Sequence, residues 1–203
     1  MADRYQAVLL FGCPGAGKGT QGAMLGAREG YFHLSTGDMF RSLDKESELG
    51  RTFASYSEKG ELVPDELTLE LWSQYVNAQI ANGSYDPSKD LLLLDGIPRT
   101  VAQAELMDGV IDVCAVVHLV ANDPDAMVAR LQKRANEQQR ADDAKEEVVR
   151  NRLEVYARET RPVLDHYDPS VVHEIDAIGT LDEVQSAIEG VLKPIRSRVI
   201  SGS

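Results

Sequence analysis

The segment that most constrains this chain is Gly12-Cys13-Pro14-Gly15-Ala16-Gly17-Lys18-Gly19-Thr20, which directly follows the apolar run Ala7-Val8-Leu9-Leu10-Phe11. It fits G-x-x-x-x-G-K-[ST] with one departure, because Gly19 stands between Lys18 and the hydroxyl of Thr20. A strand that breaks into glycines and then starts a helix turns its backbone N–H groups toward one anion. The helix N-terminus adds partial positive charge at the same place. Lys18 supplies a full charge that can follow a transferring phosphoryl group. The motif implies nucleotide binding and leaves kinases, ATPases and GTPases open. It also requires a parallel sheet to hold the loop. Further apolar runs at 32–34, 91–94, 113–120 and 171–175, separated by helical patterns, predict five parallel strands flanked by helices. The run Leu91-Leu92-Leu93-Leu94 lacks alternation, as in a strand buried on both faces.

More than fifty residues separate the second and third runs, with helical patterns at 38–43, 49–59 and 67–81. A single crossover needs one helix, so part of this stretch reads as an inserted helical subdomain. Asp123-Pro124 opens a helix predicted over 125–135, and a polar stretch at 136–144 follows. A helix over 145–160 is closed before Pro162, and a last one over 181–192 has Pro194 near its end. Ser201-Gly202-Ser203 reads as a disordered tail. The formal net charge of −12 argues against a nucleic-acid binder and leaves small phosphorylated ligands open. No apolar stretch is long enough to span a membrane, and the start MADRYQ carries no secretory signal, so a cytoplasmic location is expected. Cys13 and Cys114 suggest neither a disulfide nor a metal site.

Two segments point to a phosphate acceptor. In Leu34-Ser35-Thr36-Gly37-Asp38-Met39-Phe40-Arg41, Ser35 and Asp38 have capping-box form, which starts a helix and sets Arg41 one turn in. In Leu94-Asp95-Gly96-Ile97-Pro98-Arg99-Thr100, Asp95 ends a buried strand, where it suits Mg²⁺ and its waters. Gly96 allows close backbone approach, Pro98 stiffens the turn, and Arg99 emerges at the sheet edge where ligands bind in open α/β folds. Arg130 and Arg134 share a helix face, and Arg140 lies beyond the polar stretch. Arg152 has Val148, Val149, Val155 and Tyr156 at i±3 and i±4, so it projects from an apolar face and needs an anionic partner, carboxylate or phosphate. Phosphoryl transfer makes use of many arginines, because it demands charge neutralisation around moving oxygens. It also demands that water be shut out, and the polar segment 136–139 is the candidate lid.

Several motifs in this order resemble the adenylate kinase family of nucleoside monophosphate kinases over nearly the whole chain. They are GCPGAGKGTQ at 12–21, LSTGDMFR at 34–41, GELVPDE at 60–66, DGIPRTVAQ at 95–103, RLQKR at 130–134, RADD at 140–143 and NRLEVY at 151–156. The resemblance implies one nucleotide kinase domain over 1–203 with a P-loop NTPase-type five-stranded parallel sheet. It further implies a helical monophosphate-binding subdomain at 35–64 and a short lid at 134–140. ATP phosphates would lie on Gly15, Ala16, Gly17, Lys18, Gly19 and Thr20, with Arg130 and Arg134 assisting and Gly179 near the ATP adenine. The monophosphate would meet Thr36, Arg41, Gly96, Ile97, Pro98, Arg99 and Gln103, with Arg41 and Arg99 on its phosphate. The backbone of Glu61, Leu62 and Val63 would line the base, and Gln103 would read the adenine edge. Lys18, Arg99, Arg134, Arg140 and Arg152 would be catalytic.

The implied reaction is Mg·ATP + AMP giving two ADP by direct in-line transfer, in a monomer that binds neither nucleic acid nor membrane. Mg²⁺ would come with ATP, with Asp95 reaching it through water. No structural zinc is expected, since the Cys cluster of long-lid relatives is absent. Thr36 and Gln103 match the AMP-specific pattern; a UMP/CMP kinase and a non-catalytic P-loop binding module are the alternatives. The sequence departs from the family pattern at Ala135 and Gln139, where short lids carry glycine, at Ile97 in place of Phe, and by one extra residue around Ala144-Lys145.

Overall fold

In the computed structural model, residues 4–121, 123–138 and 145–201 are described. The strands are β1 (Tyr5–Gly12), β2 (Tyr31–Ser35), β3 (Leu91–Asp95), β4 (Ile111–Val120) and β5 (Val172–Asp176). They form one parallel sheet in the order β2-β3-β1-β4-β5. The helices are α1 (Lys18–Gly26), α2 (Thr36–Arg41), α3 (Glu48–Ser57), α4 (Asp65–Ala81), α5 (Val101–Met107), α6 (Pro124–Gln138), α7 (Glu146–Val155) and α8 (Leu181–Ser201). None of the described helices is long and apolar enough to cross a membrane.

The pleat of β1 divides the core. Ala7, Leu9 and Phe11 point to a face covered by Trp72 and Val76 of α4 and by Ala104 and Met107 of α5. Val8 and Leu10 point to the other face, covered by Leu25 of α1 and by Val184, Ile188 and Leu192 of α8. Leu91 to Leu94 are all fully buried, as the unbroken leucine run predicts. A smaller cluster of Met39, Phe40 and Leu71 holds α2 and α3 against α4, and this is the helical insert.

Register aligns the functional ends of the strands. Leu10 and Ser35 both pair with Asp95, and Gly12 pairs with Leu119. The glycine loop, Ser35 and Asp95 therefore share the carboxyl edge of the sheet, with β1 near its centre.

Several helix boundaries differ from the sequence expectation. The helix expected to end at residue 135 continues to Gln138, so 136–138 of the candidate lid are helical, while Gln139, Arg140 and Ala144 lie outside the described residues. The helix expected over 145–160 is regular only to Val155. A wide π turn at Tyr156–Thr160 and tighter turns at Arg161–His166 follow, because Pro162 lacks an N–H and the ladder must reorganise around it. The last helix runs through Pro194 to Ser201 instead of stopping near 192, so Ser201 belongs to the helix and not to the tail. Pro194 is tolerated because the carbonyl it leaves unpaired belongs to Gly190, and both residues are exposed to water.

Candidate active site

A cavity of about 580 Å³ opens at the carboxyl edge of the sheet. The loop between β1 and α1 forms its floor. Gly17 caps α1 with φ 100° and, among the described residues, supplies no side-chain cap, so the first turn, which lines the cavity, is open to an anion. Nothing lies within 4 Å of a Cβ placed on Gly17, so its backbone angle alone requires glycine. Gly12 is needed for space as well, since its Cβ would fall 2.7 Å from the Leu119 carbonyl oxygen.

The Lys18 ammonium curls back into this loop and donates to the carbonyls of Gly12 (2.6 Å) and Cys13 (3.2 Å). Burial lowers its pKa to about 8; the nearby Asp95 carboxylate resists the fall, and Arg99 and Arg152 add to it. Burial likewise pushes the Cys13 thiol up, with Lys18 opposing.

Asp95 and Gly96 form the wall between loop and insert. Asp95 is 8% exposed, and its Oδ2 lies 3.4 Å from the Cβ position of Gly19 and 3.9 Å from His33 Nε2. A carboxylate beside a phosphate-binding loop and the Thr20 hydroxyl suits a cation that keeps much of its water shell. Among the described residues, no group of three or more His, Cys, Asp or Glu could hold a metal by itself. Gly96 has φ 83°, and a Cβ there would meet Thr36 Oγ1 at 2.7 Å and an Arg99 guanidinium nitrogen at 2.8 Å. Arg99 folds over this glycine and donates from Nε to its carbonyl at 2.8 Å. The Thr36 hydroxyl donates to the same carbonyl at 2.9 Å and is buried.

The insert supplies the opposite wall. Ser35 caps α2 by accepting from the Asp38 N–H, as the capping-box pattern predicts. Arg41, one turn on, pairs with Asp38 at 2.6 Å. Glu61, Leu62 and Val63 line the cavity, as do Pro98 and Gln103. Phe40 and Phe53 stack at 5.0 Å and 2° on the same wall. Gly60 seats the insert against α7, where Asn151 donates to the Lys59 carbonyl at 2.7 Å.

Of the expected site residues, the cavity brings together Gly15, Gly17, Lys18, Gly19, Thr20, Thr36, Arg41, Gly96 and Arg99. Arg130, Arg134 and Arg152 join them from α6 and α7. Three expected residues stand apart. Ala16 packs into the core and spends its N–H on the Cys13 carbonyl. Ile97 is buried in the core below the loop, which is a packing position. Gly179 does not line the cavity; it lies past β5, with Glu183 Oε2 3.1 Å from its Cβ position. Arg140 lies outside the described residues.

Sequence reasoning missed Phe53, Lys133 and Tyr156, which also line the cavity. Lys133 was within reach, since 130, 133 and 134 share one helix face. No local signal points to Phe53. Tyr156 opens the π turn and its hydroxyl lies 3.2 Å from His118 Nε2, a contact across 38 residues.

The adenylate kinase family model matches residues 10–172. The chain is 41% identical over 192 residues to an adenylate kinase of Kocuria rhizophila, covering 92% of this chain and 98% of that one. It is 41% identical over 192 residues to one from Clavibacter michiganensis, covering 91% and 92%. It is 38% identical over 196 residues to one from Thermus thermophilus, covering 94% and 98%.

Proposed function

The chain belongs to the adenylate kinase family, and from that premise we propose how its own residues carry a phosphoryl group from ATP to AMP to give two ADP. The observation that carries the proposal is the convergence of Lys18, Arg41, Arg99, Arg130, Arg134 and Arg152 on one cavity between a phosphate loop and a second, apolar-walled pocket. A protein that only binds nucleotide has no use for cations gathered from both sides.

The ATP phosphates lie on the uncapped turn of α1, with Arg130 and Arg134 over them. Lys18 exchanges the carbonyls of Gly12 and Cys13 for phosphate oxygens, a stronger, charge-assisted set of bonds. Mg²⁺ comes with ATP and offsets charge on its phosphate oxygens, and Asp95 and Thr20 are the residues that would hold its coordination shell. AMP lies in the insert, with its phosphate between Arg41 and Arg99 and its base on Val63 and Gln103. Arg152 stands between the two halves, and Arg140 and the 134–140 lid complete the enclosure in this reading. The acceptor phosphate is itself the nucleophile, so transfer is in line and no phosphoenzyme forms. The protein contributes position, charge and exclusion of water. Because the phosphate loop and the insert of one chain line the same cavity, no second chain is needed to complete the site, and a monomer in the cytoplasm is part of this proposal.

A coupled assay of ADP production with Mg·ATP and AMP, UMP, CMP or GMP tests this. Rapid turnover is expected with AMP alone. Turnover mainly with UMP or CMP would overturn the roles of Thr36 and Gln103. ATP binding without turnover on any acceptor would leave only a binding module.

A further inference from the structure

The Gln103 amide is 2% exposed on the cavity wall and makes two short bonds. Its Oε1 accepts from the Arg99 backbone N–H at 2.7 Å, and its Nε2 donates to Asp65 Oδ1 at 2.7 Å. The other Asp65 oxygen accepts the Thr100 hydroxyl at 3.0 Å, and that hydroxyl oxygen accepts the Gln103 N–H at 3.1 Å to cap α5. Asp65 opens α4, so the carboxylate joins the helix that follows the base-lining segment to the turn that carries Gln103.

Neither partner leaves the amide a choice. A backbone N–H only donates, and an ionised carboxylate only accepts. Turning the amide over would set NH₂ against N–H and C=O against carboxylate. In the observed orientation one N–H and one carbonyl lone pair are left. Adenine presents an amino donor beside a ring-nitrogen acceptor, which that pair complements. A keto purine presents a carbonyl acceptor beside a ring N–H, which only the reversed amide complements.

We infer that Asp65 is a positioning residue for acceptor selection, holding the Gln103 amide in the orientation that accepts an amino-bearing base edge and refuses a keto edge. The inference rests on Gln103 reading the acceptor base.

The test measures kcat/KM for AMP and for IMP, a keto purine of the same size, at saturating Mg·ATP. Asp65→Asn keeps the shape but offers Gln103 either an acceptor or a donor, so residue 65 no longer bars the reversed amide and only the Arg99 N–H still opposes it. Asp65→Ala removes the anchor. In both variants the preference for AMP over IMP is expected to fall about tenfold, chiefly through a higher KM for AMP. The KM for ATP should stay within about twofold, and Tm reports folding. A merely structural tie would lower AMP and IMP activity by the same factor, and that result overturns the inference. Gln103→Leu separates the layers. Preference lost in Gln103→Leu but kept in both Asp65 variants overturns the role of Asp65 alone. Preference kept in Gln103→Leu overturns the reading of Gln103 as well.

Discussion

Lys18→Met should abolish turnover and leave the protein at least as stable as the parent at pH 7. The reason is electrostatic. The ammonium sits inside the glycine loop, and its pKa falls from 10.5 to about 8, first through lost hydration and then through Arg99 and Arg152. At about 1.4 kcal/mol per tenfold change in proton affinity, the fold prefers neutral lysine to charged lysine by about 3 kcal/mol. The bonds to Gly12 and Cys13 soften the cost but do not remove it. The sign follows from proton counts. Below pH 8 both folded and unfolded chains hold the proton, and the fold carries the full cost. Between pH 8 and 10.5 the folded chain has released a proton that the unfolded chain keeps, so stability rises with pH. The methionine variant has no such proton, so the stability difference between variant and parent should shrink by about 3 kcal/mol across that window. Urea unfolding of both proteins at several pH values isolates this contribution, because all other groups cancel in the difference. A difference that stays constant within about 1 kcal/mol would refute the electrostatic account. Near-native ADP production by the variant would refute the assignment of Lys18 to phosphoryl transfer.

The same lysine should make donor binding take up a proton. Above pH 8 it must be recharged to meet ATP phosphates, so affinity should fall as pH rises through about 8. Calorimetry at a pH about one unit above that value, in buffers of different ionisation heat, should register uptake approaching one proton, and no uptake would contradict it. Asn151→Ala removes the donor to the Lys59 carbonyl that holds the insert against α7. Loss of an exposed bond of about 1 kcal/mol should raise the KM for AMP a few-fold and lower Tm by about 2–4 °C while leaving the KM for ATP nearly unchanged; equal changes in both KM values would count against this contact as an acceptor-side latch.

Much of this architecture is legible where the physics is local. The strand Leu91–Asp95 announces itself because a parallel strand buried on both faces needs unbroken apolar residues. The cap on α2 is legible because Ser35 and Asp38 lie three apart. The phosphate loop is legible because its backbone angles admit little besides glycine at 15 and 17. What was missed depends on tertiary contact. Phe53 becomes a cavity wall only because the insert folds it onto Phe40. Asp65 meets Gln103 across 38 residues, a distance no periodicity encodes. Pro194 stops an average helix, but here its orphaned carbonyl faces water, and the buried side of α8, with Leu192 and Ile195, continues past it. Gly179 and Ile97 were carried to the site by motif position, whereas Gly179 does not line the cavity and Ile97 packs into the core.

The insert rests on a very small core. Among the described residues, its buried apolar members are Met39, Phe40 and Leu71, and Leu71 belongs to α4, the helix that also sends Trp72 and Val76 into the main sheet. The chain is thus unequal in cohesion: a sheet packed on both faces bears the phosphate loop, and a lightly anchored insert faces it across the cavity. On the proposed reading, a monophosphate held between Arg41 and Arg99 would add adhesion to an insert whose own apolar core is small.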